Sequence, residues 1–209
     1  MLEHLPAWLG HAMRGWRAGA DKLAIAQPAL AGGAGAVGSL ALSSPAFADG
    51  GRLPTRFTAD GVGVSPPLVW GEVPAGTVNL ALLVEDADAP TPQPLVHAVV
   101  WGLEPGAGGL AEGAIVADGR GQDGRDVGRN SFGREGWLPP DPPTGHGDHR
   151  YAFQLFALDA GAGDPGTDPG RAALLASIQG HVLAAGLLVG IYSRGEPAVI
   201  GGTAALAIG

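Results

Sequence analysis

The chain has no cysteine among its 209 residues, which removes disulfides, thiolate metal sites and cysteine nucleophiles together. The absence points to no compartment, because a chain without thiols tolerates any redox environment. Charge is sparse at 15% of residues, and basic charge is sparser still: 12 Lys and Arg face 20 Asp and Glu, a formal −8. Binding to nucleic acid through phosphate neutralisation needs the opposite balance, so no nucleic-acid partner is expected. No stretch supplies about twenty apolar residues free of breakers, so no integral membrane segment is expected either. HExxH, GxSxG and GxxxxGK[ST] are all missing. Gly119–Gly124 spells GxGxxG, but in a polar glycine loop rather than between strand and helix. No cofactor is expected.

Glycine and proline, 37 and 18 residues, make up roughly a quarter of the chain, a level that also occurs in disordered sequences. Disorder would bring few aliphatics and many charges, whereas 45% of residues are hydrophobic. The chain is therefore expected to fold. From Leu40 onward, short apolar runs alternate with Gly and Pro, the pattern of a mainly β domain. Candidate strands are Ser39–Leu42, Leu68–Trp70, Val78–Val84, Leu95–Trp101, Tyr151–Leu158 and Leu187–Tyr192. Those over 78–84 and 95–101 are nearly continuous in apolar residues and should be covered on both faces. One helix follows, with Asp168 as cap, Pro169 in its first turn and a stripe of Leu174, Leu175, Ile178 and Val182, ending near Gly186. The stretch 106–144 lacks periodicity, and loops of that length are usually functional or disordered.

Residues 1–27 carry Leu5, Trp8, Leu9, Ala12, Met13 and Trp16 at steps of three and four, which predicts an amphipathic helix. Two tryptophans on one face suit a homodimer contact, the alternative being a helix that lies back on its own body. Residues 28–38 form a Gly/Ala-rich linker, and 39–209 form the main domain. Ala46-Phe47-Ala48 has the small-x-small form of a signal-peptidase site. The run before it is diluted by glycine, so Ser39–Phe47 is expected to be folded structure and the protein cytoplasmic. Cleavage there would make it periplasmic or secreted.

Three patches could carry chemistry. Asp86 and Asp88 follow an apolar strand and share a face if the chain stays extended, so a cation, a proton or hydrogen-bond donors must separate them. A turn with Asx hydrogen bonds is the plainer alternative. His97 is an imidazole inside an apolar strand, the position of many hydrogen-bonded core histidines. His149 and Tyr151 share one face of the last patch and Arg150 takes the other, where it is expected to pair with a carboxylate.

Taken in order, SPAFADGGRLPTRFTADGVGVSPPLVW (44–70), ALLVEDADAP (81–90), VHAVVWGLEPGAGGLAEG (96–113), GRNSFGREGWLPPDPPTGHGDHRYAFQLFALD (128–159) and LVGIYSR (188–194) resemble the phosphatidylethanolamine-binding protein family, in its bacterial and archaeal branch. The resemblance implies a β-sandwich with a small anion pocket at one end, near a C-terminal helix. It places Asp86, Asp88, Pro90, His97, Pro143, His149 and Tyr151 in that pocket. The family's usual Asp-Pro-Asp is Asp86-Ala87-Asp88 here, and Ala98 replaces an aromatic that often follows the pocket histidine. The N-terminal helix lies outside the region of resemblance.

The leading expectation is a non-catalytic binding protein for a small anion (phosphate, carboxylate or a phosphoethanolamine-like headgroup). Asp86 and Asp88 would hold His97 and His149 as donors and could receive an amine. One rival is a metal-dependent or acid/base hydrolase using Asp86, Asp88, His97 and His149. The other is an interaction module inhibiting a kinase or protease, its long loop docking the partner.

Overall fold

Apolar runs with no polar face can form strands only where both faces are covered, and three long strands take that position. They are β5 (Asn79–Asp86), β6 (Leu95–Leu103) and β9 (His149–Leu158), in a computed structural model that describes residues 7–30, 37–117 and 126–194. They belong to a sheet ordered β1-β10-β9-β5-β6-β8, where β1 is Gly38–Ser39, β8 is Asp126–Val127 and β10 is Val182–Tyr192. Strand β3 (Gly51–Arg52) also pairs with β10; it and β1 run parallel to that strand, and the long strands pair antiparallel. A second sheet, β2-β4-β7, comprises Leu42–Ser43, Leu68–Trp70 and Gly108–Leu110.

Side-chain alternation divides the long strands between two cores. Leu80, Leu82, Val84, Phe153 and Leu155 pack towards Leu68, Trp70 and Leu110 of the small sheet. Ala81, Leu83, Val99 and Phe156 pack on the other face against Leu174 and Ile178 of helix α2 (Arg171–Ile178), and against Ala24 and Leu30 from the N-terminal segment. Leu80, Leu82 and Leu155 are fully buried, so truncating any of them to alanine should cost roughly 2–5 kcal/mol. The mainly β sandwich is as expected.

Three boundaries differ from expectation. Helix α2 ends at Ile178 and Gly180 takes φ 79°, so Val182 opens β10 rather than closing a helical stripe. Buried and half-buried residues alternate along most of β10, a period the apolar sequence VLAAGLLVGIY conceals. Asp168 does not cap α2. Gly170 takes the cap position without a side-chain bond, and Asp168, at φ 50°, lies 3.6 Å from Arg129.

The N-terminal helix is much shorter than residues 1–27: α1 covers Ala7–Met13. Beyond it the chain passes Gly15 and Gly19, the latter at φ 104°, then makes single 3₁₀ turns at Ala20–Lys22, Ala24–Ala26 and Pro28–Leu30. Glycine weakens a helix, and here tertiary hydrogen bonds take over the backbone groups. Leu5, residues 31–36 of the expected linker, the Gly119–Gly124 loop and residues 195–209 lie outside the described residues.

Phe47, of the small-x-small triplet, is part of the core, its ring 5.7 Å from that of Phe153. Among the described residues no helix is long and apolar enough to cross a membrane.

Candidate functional site

One end of the long strands carries a polar cluster on the face turned to the small sheet. Asp86 ends β5 directly opposite Tyr151 on β9. On β6 the register slips by one residue between the pairs Val84↔Ala98 and Glu85↔Val96, which leaves His97 as the extra residue of a bulge. A bulge re-aims one side chain without moving its strand. His97 Nδ1 lies 2.6 Å from the Leu138 carbonyl oxygen, and the Leu138 N–H donates back to the His97 carbonyl at 2.8 Å. A carbonyl only accepts, so Nδ1 carries the proton.

The remaining atoms of this pair are unsatisfied. His97 Nε2 and the Tyr151 hydroxyl are both buried and have no hydrogen-bond partner among the described residues. Their rings meet edge-on at 5.0 Å. Leaving a buried polar atom unpaired costs about 1–3 kcal/mol, so two on adjacent rings call for an explanation. Burial lowers the His97 pKa, with Asp86 and Leu138 opposing the shift and His149 adding to it. Burial, reinforced by the charge of Asp86, pushes the Tyr151 phenol well up, so its O–H stays protonated.

His149 is engaged at both nitrogens. Nδ1 is 2.7 Å from Asp86 Oδ2, and Nε2 is 2.7 Å from His146 Nδ1. His146 Nε2 in turn lies 2.8 Å from the Met13 carbonyl oxygen. Three hydrogen bonds in this row need three protons among Asp86, His149 and His146, an arrangement that is neutral overall. His149 therefore offers no free N–H to a ligand in this state. Burial, the charges of His149 and Arg17, and bonds to Met13 and Trp16 act together on His146, with a net lowering of its pKa.

The two aspartates do different work. Asp86 binds His149 through one oxygen and accepts the Asp88 N–H through the other, at 2.8 Å. Asp88 does not support a histidine, because the chain turns after Asp86 and carries it away. Its oxygens accept from the Arg150 backbone, Nε and Nη2 at 2.7–2.8 Å and pair with Arg17 at 2.7 Å. Burial pushes the Asp88 carboxyl up, but the bonds from Arg150 and Arg17 outweigh it and hold the pKa at about 2. Arg150 thus pairs with a carboxylate, as its alternation with His149 and Tyr151 predicts. Among the described residues no three His, Asp or Glu are grouped to hold a metal ion.

Pro143 is buried and its carbonyl accepts the His146 N–H at 3.0 Å, while Pro90 is half-buried after the Asp88 turn. Helix α2 does not border the cluster, since it packs on the opposite face of the sheet. Residues unforeseen in the sequence include His146 and Arg17, and also Arg194, which binds Asp60 through Nε at 2.8 Å and pairs with Asp141 of the segment Leu138–Pro143. His146 also meets His149 three residues on, but the Met13, Asp88, Asp60 and Asp141 partners of these residues lie 53 to 134 positions away, beyond the reach of any local pattern.

A covered β-sandwich with a buried polar cluster at its strand ends is the architecture of a family of ligand-binding domains. The phosphatidylethanolamine-binding protein family pattern matches residues 43–193, and the chain belongs to that family. A Methanothermobacter thermautotrophicus protein described as a UPF0098 protein is 41% identical over 155 residues, 74% of this chain and 99% of the relative. A Mycobacterium tuberculosis protein named as a lipoprotein, LppC, is 43% identical over 119 residues, 57% of this chain and 55% of that protein. Among solved structures, a phosphatidylethanolamine-binding protein homologue from Chlamydia trachomatis superposes with a TM-score of 0.66 at 34% identity, covering 75% of this chain and 98% of that one. YbcL of E. coli gives 0.67 at 28%, covering 74% and 98%.

Proposed function

We propose that this chain is a non-catalytic binding domain for a small anion, phosphate-like or carboxylate, held between His97 Nε2 and the Tyr151 hydroxyl. The observation that carries the reading is the pair of buried, partnerless polar atoms on adjacent rings. Tyr151 donates its O–H. His97 donates from Nε2 only as an imidazolium, because Nδ1 is committed to Leu138, so binding brings a proton with the anion. Asp86, His149 and His146 supply a neutral wall, and Pro143 shapes the adjoining turn. Every oxygen of Asp86 and Asp88 already accepts a hydrogen bond. That favours a simple anion over phosphoethanolamine, whose ammonium would have to displace Arg17 or Arg150. An acid/base hydrolase is supported less well, because the Asp86–His149–His146 row ends on a carbonyl that cannot take up a proton. No contact among the described residues favours the inhibitor-module reading.

Two finer features belong to the same reading. A homodimer through the N-terminal segment is supported by Trp8 and Trp16, which are 68% and 70% exposed. A mass in solution of one chain at micromolar concentration would refute it. Cytoplasmic placement is supported by Phe47, whose position in the core ties the small-x-small triplet into the fold.

The test is calorimetric titration of sulfate into the full chain and into Tyr151→Phe. Removing the hydroxyl should weaken binding by about 1.5–3 kcal/mol, the range for a hydrogen bond to a charged group, while the melting temperature stays level or rises because an orphaned O–H is gone. Equal affinity in both proteins defeats the proposed site.

A further inference from the structure

The N-terminal segment lies outside the family match, yet it is tied to the polar cluster along much of its length. Helix α1 seats on the turn 144–147: Gly10 is buried there, and a Cβ at that position would run into the Thr144 carbonyl oxygen. Arg14 Nε donates to the Gly145 carbonyl at 2.7 Å, and Arg17 Nη1 donates to that of Asp148 at 2.8 Å. The Ala18 and Gly19 N–H groups donate to the carbonyls of Ala89 and Ala87, each at 2.9 Å. Arg17 also reaches Asp88, and the Met13 carbonyl holds His146.

The last contact matters most. His146 is pinned between Met13 and His149, so it occupies the one His149 nitrogen that could face a ligand. The cluster is closed as a result: His97, His146, His149 and Tyr151 are each no more than 1% exposed. No solute reaches His97 Nε2 or Tyr151 without a local opening. The turn carrying His146 is flanked by Gly145 at φ 83° and Gly147 at φ 102°, which specify its conformation through the backbone.

We propose that residues 7–19 form a built-in strap that keeps the anion site shut, and that lifting it frees His146 and turns His149 into a third ligand donor. The proposal rests on the anion-site reading above and adds the element that regulates it. In the docked state the pocket offers two groups behind a closed wall. In the lifted state His146 loses its Met13 anchor, His149 Nε2 is exposed, and the anion meets His97, His149 and Tyr151 together. A ligand that prefers the lifted state shifts the strap equilibrium, and loosening the strap must by the same linkage raise apparent affinity.

Two variants of the full chain loosen the strap while leaving His97, His149 and Tyr151 themselves unaltered. Gly10→Val drives α1 off the Thr144 carbonyl, and Arg17→Ala removes the tether to Asp88 and Asp148. Each is read by amide hydrogen exchange at Ala18 and Gly19 and by sulfate calorimetry. Both variants should speed exchange at those amides and tighten sulfate binding by about tenfold or more. Saturating sulfate should also speed the same amides in the unaltered chain. Faster exchange with unchanged affinity overturns the strap while leaving the anion site standing. Unchanged exchange in both variants also overturns it, since the seat and tether would then not hold the segment. Absence of sulfate binding in every chain overturns the anion site, and the strap with it.

Discussion

At His97 the chemistry is decided by one hydrogen bond. With Nδ1 donating to Leu138 and burial holding the ring's pKa below 6.5, the imidazole is neutral near pH 7 and Nε2 carries a lone pair. An anion cannot bind a lone pair, so binding must raise the pKa and take up a proton. Affinity should then fall as pH rises. Sulfate, whose charge is fixed across the range, should bind at least about tenfold more weakly at pH 8 than at pH 6. Titrations in two buffers of different ionisation enthalpy should show close to one proton taken up per anion. A flat profile with no uptake would mean that neutral donors hold the ligand. His97 could be singled out in the sequence as an imidazole in an apolar strand, and the family resemblance placed it in a pocket. Its bulge could not be foreseen, because the one-residue slip against Glu85 is a property of pairing.

At the scale of elements, the turn after β5 is governed by ion pairing. Asp88 is fully buried, and Arg150 closes on it from the start of β9 through a bidentate contact. Arg150→Ala should lower stability by about 1–3 kcal/mol, the cost of leaving a buried acceptor short of partners, partly relieved by Arg17. Sulfate affinity should change little. A variant that melts normally but no longer binds would place Arg150 at the ligand instead. The pairing of Arg150 with a carboxylate follows from strand alternation alone, because His149 and Tyr151 occupy the other face. Which carboxylate it meets does not follow, since Asp88 lies 62 residues away. The N-terminal segment shows the reverse. Its local pattern is helical, but buried Glu85 and Gln154 accept the Ala24 and Ile25 N–H groups, and these contacts draw residues 20–26 into short turns on the sheet. Tertiary bonding overrides a periodicity that would otherwise continue past Met13.

Across the whole molecule, the mainly β sandwich and its central strands were legible because apolar runs of six or seven residues bounded by Gly and Pro have few other uses. The site was half legible. Asp86, His97, His149 and Tyr151 meet at one strand end, as the resemblance implies, whereas the closure of that end by residues 7–19 joins positions at least 68 apart and left no local trace. The molecule is thus a family core with its own N-terminal segment folded across the polar cluster at its strand ends. A crystal structure of the full chain soaked in sulfate tests the central claim most directly. The account predicts one anion with an oxygen within hydrogen-bond distance of both His97 Nε2 and the Tyr151 hydroxyl. Sulfate bound elsewhere, with those two atoms still unpartnered, would contradict it.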